Sequence, residues 1–151
     1  MTVKENMANR INLKQLGELL ADLGIINKTQ LQHALEVQKD KGGLIGQVLV
    51  DLGYVTEEAI AQAITAQYGF PYLPLESYEI DPEIVKIIPK NVAIQYCLIP
   101  VDKIGTNLTI AMANPLNSQA VEDIALLSGL CVQIFVSTAT DIKKAVEKYY
   151  K

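Results

Sequence analysis

One 24-residue segment occurs twice in this chain of 151 residues. Residues 15–38 align with residues 44–67 at a constant offset of 29 positions and without a gap. Seven positions are identical in the two copies: Gly17/Gly46, Leu20/Leu49, Asp22/Asp51, Leu23/Leu52, Gly24/Gly53, Ala34/Ala63 and Gln38/Gln67. Because a repeat of this kind is one supersecondary unit used twice, it restricts the first half of the chain to two equivalent parts that pack together.

Each copy predicts a pair of helices. The first helices, over about residues 14–23 and 44–52, each end before a glycine, which adopts the left-handed C′ conformation at low cost. The second helices begin after an asparagine or a threonine, residues that cap helix N-termini well. Apolar residues then follow at helical spacing. The glycines are Gly24 and Gly53, and the caps are Asn27 and Thr56.

The pattern changes at residues 68–77, which carry one glycine and two prolines and are typical of a connection between subdomains. Beyond them, Pro82 and Pro89 each open a short helix, and two strands joined at Gly105-Thr106-Asn107 form a predicted hairpin. The predicted elements are helices near 82–88, 89–95, 118–128 and 141–149, and strands near 96–101, 107–113 and 131–136. The sequence therefore predicts an α+β fold, a tandem helix-pair repeat followed by a small helix-covered β-sheet subdomain of order ββαβα.

This organisation divides the chain into four predicted parts. They are a flexible N-terminal segment over 1–12, the tandem repeat over 13–68, a linker over 69–81 and an α/β subdomain over 82–151.

Composition and motifs exclude several functions. The net charge of −4 gives no basic surface for a nucleic-acid polymer. No apolar run reaches the roughly 18 residues that span a bilayer, and the polar N-terminus carries no signal peptide. We therefore expect a cytoplasmic protein, peripheral at the inner membrane if it is attached there. The chain has one histidine and no phosphate loop, and its residues complete no catalytic motif, so we expect no enzyme activity and no metal site.

Two other groups of residues have ordinary structural interpretations. Cys97 and Cys131 fall in predicted strands, where free buried thiols are common. Lys143, Lys144 and Lys148 fall late in the last predicted helix, where the helix dipole favours positive charge.

The repeat and the second half together resemble one family, the N-terminal MshEN (type II secretion E N-terminal) domain of type II secretion and type IV pilus assembly ATPases. Each family unit has the pattern R-L-G-x-x-L-x-x-x-G, an apolar pair and L-x-x-x-L-x-x-Q. The matching residues here are Leu16-Gly17, Leu20, Gly24, Leu31, Leu35 and Gln38, and then Ile45-Gly46, Leu49, Gly53, Ile60, Ile64 and Gln67. The second half matches at Tyr68-Gly69-Phe70-Pro71, Ile99-Pro100-Val101, Ala111-Met112-Ala113-Asn114-Pro115 and Tyr149-Tyr150.

The resemblance implies a non-catalytic interaction domain that docks the motor to its inner-membrane platform protein, with the motor ATPase domain as a second partner. As an alternative, it implies a cyclic di-GMP receptor in which the two units clamp a two-fold symmetric ligand. No cofactor is required by the first interpretation, and cyclic di-GMP is the ligand in the second. The candidate ligand residues are Gln15, Leu16, Gly17, Leu31, Leu35, Gln38, Leu44, Ile45, Gly46, Ile60, Ile64, Gln67 and Asn114.

Three of these residues depart from the family pattern. Family members that bind the dinucleotide have arginine before the L-G of each unit, where this chain has Gln15 and Leu44, and aspartate is frequent where this chain has Asn114. Each missing guanidinium removes charge-assisted hydrogen bonds worth about 1.5–3 kcal/mol. We therefore expect weak binding of cyclic di-GMP or none, with Arg10 and Lys14 as the cations nearest to the first unit.

Overall fold

The computed structural model describes residues 15–150. The predicted segment 1–12, and with it Arg10 and Lys14, lies outside the described residues. The helices are α1 Leu16–Asp22, α2 Lys28–Lys41, α3 Ile45–Asp51, α4 Glu57–Tyr68, α5 Pro82–Val85, α6 Lys90–Tyr96, α7 Ser118–Ser128 and α8 Ala139–Tyr149. The strands are β1 Leu98–Ile104, β2 Asn107–Met112 and β3 Cys131–Val136, and a 3₁₀ turn covers Leu75–Ser77.

The repeat forms two helix pairs, α1–α2 and α3–α4, as predicted. In the first pair Asn27 makes a complete capping box, because its side chain accepts from the Gln30 N–H at 2.8 Å while the Gln30 side chain accepts from the Asn27 N–H at 2.9 Å. In the second pair the Thr56 hydroxyl accepts from the Ala59 N–H at 3.1 Å. Helices α1 and α3 are each followed by a glycine at positive φ, Gly24 at 76° and Gly53 at 78°. The caps and the glycines that the sequence displays therefore determine where the second helix of each pair begins and where the first one ends.

The sheet has the strand order β1-β2-β3. Strands β1 and β2 form the predicted antiparallel hairpin, and β3 returns parallel to β2 after α7. Strand β1 begins at Leu98 rather than at the predicted residue 96, because α6 continues through Tyr96. Cys97 therefore does not lie in a strand: it ends α6 in the left-handed conformation, at φ 53°.

The segment between the repeat and α5 packs along the outer edge of β3. The Leu73 N–H donates to the Val136 carbonyl at 2.9 Å, and the Val136 N–H donates to the Pro71 carbonyl at 2.8 Å. Leu75 and Ile80 are buried in the core under β1 and α8. This segment thus belongs to the packed structure on the sheet side.

We call residues 15–68 the repeat half and residues 82–150 the sheet half. The core of the repeat half does not end at residue 68, because Phe70, Leu116 and Val136 are buried within it. The two halves therefore share apolar packing, and the seam between them positions the cleft described next. Within the described residues, no helix is long and apolar enough to cross a bilayer.

Candidate functional site

A cleft of about 220 Å³ opens at the seam between the two halves. Helices α3 and α4 form one wall, and the end of α6, the loop after β2 and the start of α8 form the other. Five of the thirteen residues that the sequence predicted for a ligand line this cleft: Leu16, Leu44, Gly46, Ile60 and Asn114. We refer to it as the seam cleft. Its repeat-half wall is mainly apolar, and Asn114 holds its own loop, since the Asn114 Oδ1 accepts from the Leu116 N–H at 3.1 Å.

The other eight predicted residues lie elsewhere. Ile64 is completely buried, whereas its repeat equivalent Leu35 is 43% exposed, so these two residues do not form one apolar bed. The side chain of Gln38 donates to the Gly43 carbonyl at 2.9 Å and thereby holds the turn between the two units. The remaining five are Gln15 and Gln67, both exposed, Gly17, which is buried, and Leu31 and Ile45, both half-buried.

Gly17 and Gly46 permit close approaches between helices. A Cβ added at Gly17 would lie 2.6 Å from the Leu31 Cδ1, and one added at Gly46 would lie 3.1 Å from the Leu16 Cδ2. The first distance is shorter than real Cβ contacts and the second is tighter than most of them. Glycine at these positions therefore favours the close approach of α1 to α2 and of α3 to α1. The identity of the two glycines in the repeat therefore has a packing cause, whatever their role toward a ligand.

The sheet half contributes polar residues that the sequence did not single out. The side chain of Ser137 is 1% exposed, lines the cleft, and has no hydrogen-bond partner for its Oγ among residues 15–150. Lys143 also lines the cleft, and its Nζ lies 3.0 Å from the Gln47 Oε1. Because α8 begins at Ala139, Lys143 lies in its middle and only Lys148 lies in its last turn. The interpretation of Lys143 as a charge late in the helix is therefore wrong.

A carboxylate closes one end of the seam. The Thr140 N–H donates to the Glu57 Oε1 at 2.7 Å, and the Thr140 hydroxyl donates to the Glu57 Oε2 at 2.5 Å. Glu57 lies in the first turn of α4 and contacts the first turn of α8, so one negative charge faces the N-termini of two helices. This placement is favourable to both helix dipoles.

Cys97 lines the cleft close to the charges of Glu57 and Lys143. Burial raises the pKa of its thiol to about 11, Lys143 acts in the opposite direction, and Glu57 adds to the rise. The thiol therefore stays protonated near neutral pH, and it is no activated nucleophile. No group of histidine, cysteine or acidic residues among those described is arranged to hold a metal ion.

The fold and the cleft define a class of protein: an α+β domain in which a helix-pair repeat and a three-stranded sheet flank a small cleft. Comparison with known families gives the particular one. The model of the MshEN domain matches residues 68–151, and the chain belongs to that family.

Curated relatives place the family in pilus assembly. The chain is 36% identical over 136 residues to the type IV pilus assembly ATPase PilB of Myxococcus xanthus, a match that covers 90% of this chain and 24% of that protein. It is 34% identical over 139 residues to PilB of Thermus thermophilus, covering 91% of this chain and 16% of the relative. The chain thus spans a quarter or less of the length of these two relatives.

Solved structures share the fold. The structure of MshE with cdg, cyclic di-GMP, has a TM-score of 0.67 and 26% identity, and covers 91% of this chain and 99% of that one. The N-terminal domain of XpsE has a TM-score of 0.65 and 25% identity, and covers 88% of this chain and 93% of that domain. The α+β fold predicted from the sequence is confirmed, together with the resemblance to the family.

Proposed function

We propose that this chain is a non-catalytic regulatory domain of a type IV pilus or type II secretion motor, and that its seam cleft binds cyclic di-GMP. The observation that carries this proposal is the convergence of Leu16, Leu44, Gly46, Ile60 and Asn114, predicted from the sequence for that ligand, on one cleft. The likeness to MshE, which was solved with the dinucleotide, supports it. In this proposal the ATPase activity of the longer relatives belongs to residues outside this chain, and the domain works on the cytoplasmic side of the inner membrane.

The walls of the seam cleft suit part of such a ligand. Leu16, Leu44 and Ile60 offer an apolar surface to the face of a guanine, which gains from leaving water. The volume of about 220 Å³ lies below the roughly 300 Å³ at which pockets for drug-sized ligands begin. We therefore infer that one base and its adjacent phosphate enter the cleft, and that the second base lies outside it on the repeat.

Charge at two positions tests this proposal. Leu44 lines the cleft, and Gln15 is the exposed residue immediately before α1. We expect weak binding by the native chain and a gain of about 100-fold for Gln15→Arg with Leu44→Arg, since each restored charge-assisted contact is worth about 1.5 kcal/mol or more. Calorimetric titration with cyclic di-GMP measures both affinities, and added salt should reduce part of the gain.

A matched pair of new charges controls for general attraction. Gln62 and Gln133 are exposed and do not line the cleft, so Gln62→Arg with Gln133→Arg should leave the affinity within about twofold of the native value. If this control pair gains as much as the Gln15→Arg/Leu44→Arg pair, the cleft is not the binding site. Tight binding by the native chain would show that Gln15 and Leu44 do not weaken the site.

A second function, docking to the inner-membrane platform protein, is favoured by exposed apolar side chains on the sheet half. Leu126 and Leu127 near the end of α7 are 76% and 53% exposed, and Ile104 at the hairpin end of β1 is 71% exposed. The Cys131 N–H donates to the Thr106 carbonyl at 2.8 Å, which brings the hairpin turn next to the start of β3. These three residues thus lie toward one end of the sheet half and form a candidate contact surface.

Charged substitution tests this surface. We expect Leu126→Asp with Leu127→Asp to weaken retention by the immobilised platform protein at least tenfold, because an interface centre excludes unpaired charge. Leu23, which is 47% exposed on the repeat half, gives the control, and Leu23→Asp should have no effect. Equal retention of all three chains would exclude this surface.

A further inference from the structure

Two residues of the sheet half, Ser137 and Lys143, complete the seam cleft as a phosphate subsite. We propose that Lys143 takes the place of the arginine that the second repeat unit lacks, and that Ser137 donates a hydrogen bond to the same anionic group. The inference rests on the proposed binding of cyclic di-GMP. It assigns part of the ligand contact to α8 and to the residue before its cap, which the sequence repeat does not include.

Ser137 contributes a buried hydroxyl group to the cleft. Its side chain is 1% exposed and its Oγ has no partner among the residues described, although its N–H donates to the Met112 carbonyl at 3.0 Å. Buried hydroxyl groups in folded proteins are nearly always hydrogen-bonded. Because Ser137 lines the cleft, an oxygen of a bound ligand is in reach of this hydroxyl.

Lys143 supplies the charge. Its Nζ lies 3.0 Å from the neutral Gln47 Oε1, and no carboxylate of the described residues lies within salt-bridge distance of it. The nearby Glu57 carboxylate is engaged on both oxygens by Thr140. An ammonium group whose hydrogen-bond partner is a neutral amide keeps its charge for an anion that enters the cleft.

Lys143 is placed where it compensates for the arginine that is absent from the second unit. Leu44 and Lys143 line the same cleft, and the Lys143 Nζ contacts Gln47, which lies three residues after Leu44 on α3. In this proposal the ammonium group therefore serves where an arginine at position 44 would.

Helix α8, eleven residues long, begins at this cleft with Thr138 and Ala139 among the lining residues. The Glu57 carboxylate, which also lines the cleft, already binds at this N-terminus through Thr140. The positive charge for a phosphate therefore comes from Lys143 and not from the helix dipole.

Titration with cyclic di-GMP tests the assignment, with the Gln15→Arg/Leu44→Arg chain as a second background in which affinity is higher. In the native background we expect Lys143→Met to weaken binding about tenfold and Ser137→Ala about fivefold, while Lys143→Arg retains the affinity. In the background with both arginines we expect a smaller effect of Lys143→Met, because the arginine introduced at position 44 supplies the charge. Lys144→Met is the matched control, since Lys144 is exposed on the same helix and does not line the cleft. Thermal unfolding of each variant checks that the fold is intact.

Chemical labelling gives an independent reading of where the ligand lies. In a Cys131→Ala chain, occupancy of the cleft should slow the reaction of the Cys97 thiol with methyl methanethiosulfonate. At a ligand concentration near the native Kd, Lys143→Met should remove most of this protection. Binding that is unchanged in Lys143→Met and in Ser137→Ala overturns the present inference and leaves the proposed function standing. The absence of binding in every chain, including those with both arginines, overturns the proposed function itself.

Discussion

Cys97 combines three properties that a sequence does not display. It has positive φ without being glycine, it is buried, and its thiol pKa is raised to about 11 by that burial. A left-handed residue with a Cβ costs roughly 1–2 kcal/mol, and the cost is tolerated here because the turn delivers the chain from α6 directly into β1. Tyr150 shows the same effect of burial: its hydroxyl donates to the Ile88 carbonyl at 2.9 Å, and its pKa is raised.

These raised pKa values predict a loss of stability in alkali. The Cys97 thiol holds its proton more tightly in the folded chain, so its contribution is complete below the unfolded value of 9.0 and disappears as pH rises to about 11. In urea unfolding between pH 8 and 11, we expect the free energy of unfolding to fall less steeply for Cys97→Ala than for the native chain, by up to about 1.4 kcal/mol per pH unit. Cys131→Ala should keep the native slope. Identical slopes in all three chains would contradict the burial of this thiol.

At the scale of helices and strands, most of the fold could be predicted because its signals are local. The asparagine and threonine caps and the glycines after α1 and α3 lie within a few residues of what they determine. The start of α8 was predicted two residues late, although the Thr138 hydroxyl accepts from the Asp141 N–H at 3.3 Å in a recognisable cap. The α6–β1 boundary had no such signal, because nothing in the sequence marks Cys97 as left-handed.

The candidate site could be predicted in its repeat half and, on the sheet half, at Asn114 alone. Leu44, Gly46 and Ile60 lie in a repeated pattern that the sequence displays. Ser137 and Lys143 reach the cleft through the packing of α8 against the sheet, and their separation from α3 along the chain is too large for any local pattern to reveal. The sequence also gave no means to distinguish the exposed Leu35 from the buried Ile64, since the two positions are equivalent in the repeat.

At the scale of the whole molecule, polar side chains supplement the apolar seam. Glu57 accepts from Thr140 across the seam, and Lys143 donates to Gln47. Both contacts run from the second helix pair to α8, so α8 adds polar contacts to the apolar packing of Phe70, Leu116 and Val136 between the halves. A ligand bound at Lys143 therefore lies next to the polar contacts between α8 and the repeat half.

A double-mutant cycle measures the free energy that the Glu57–Thr140 contact contributes to stability. We expect Glu57→Ala and Thr140→Val to show a coupling free energy of about 1 kcal/mol in urea unfolding, because a hydrogen bond to a charged group is worth more than a neutral one but this one is partly exposed. Glu58→Ala with Thr140→Val is the matched cycle, and it should show no coupling, since Glu58 is the exposed neighbour. A coupling of zero in the first cycle would mean that the Glu57–Thr140 contact does not stabilise the packing of the two halves.

The unequal burial of Leu35 and Ile64 bears on the history of a duplicated segment. In the second copy, the second helix α4 packs against β3. In the first copy, no strand is among the main neighbours of the equivalent helix α2. A substitution at position 64 changes a side chain in the packed core, whereas a substitution at position 35 changes one that is exposed to solvent. Substitution therefore costs little stability at position 35 and much more at position 64, so a new surface specificity is more accessible at this position of the first copy than at its equivalent in the second.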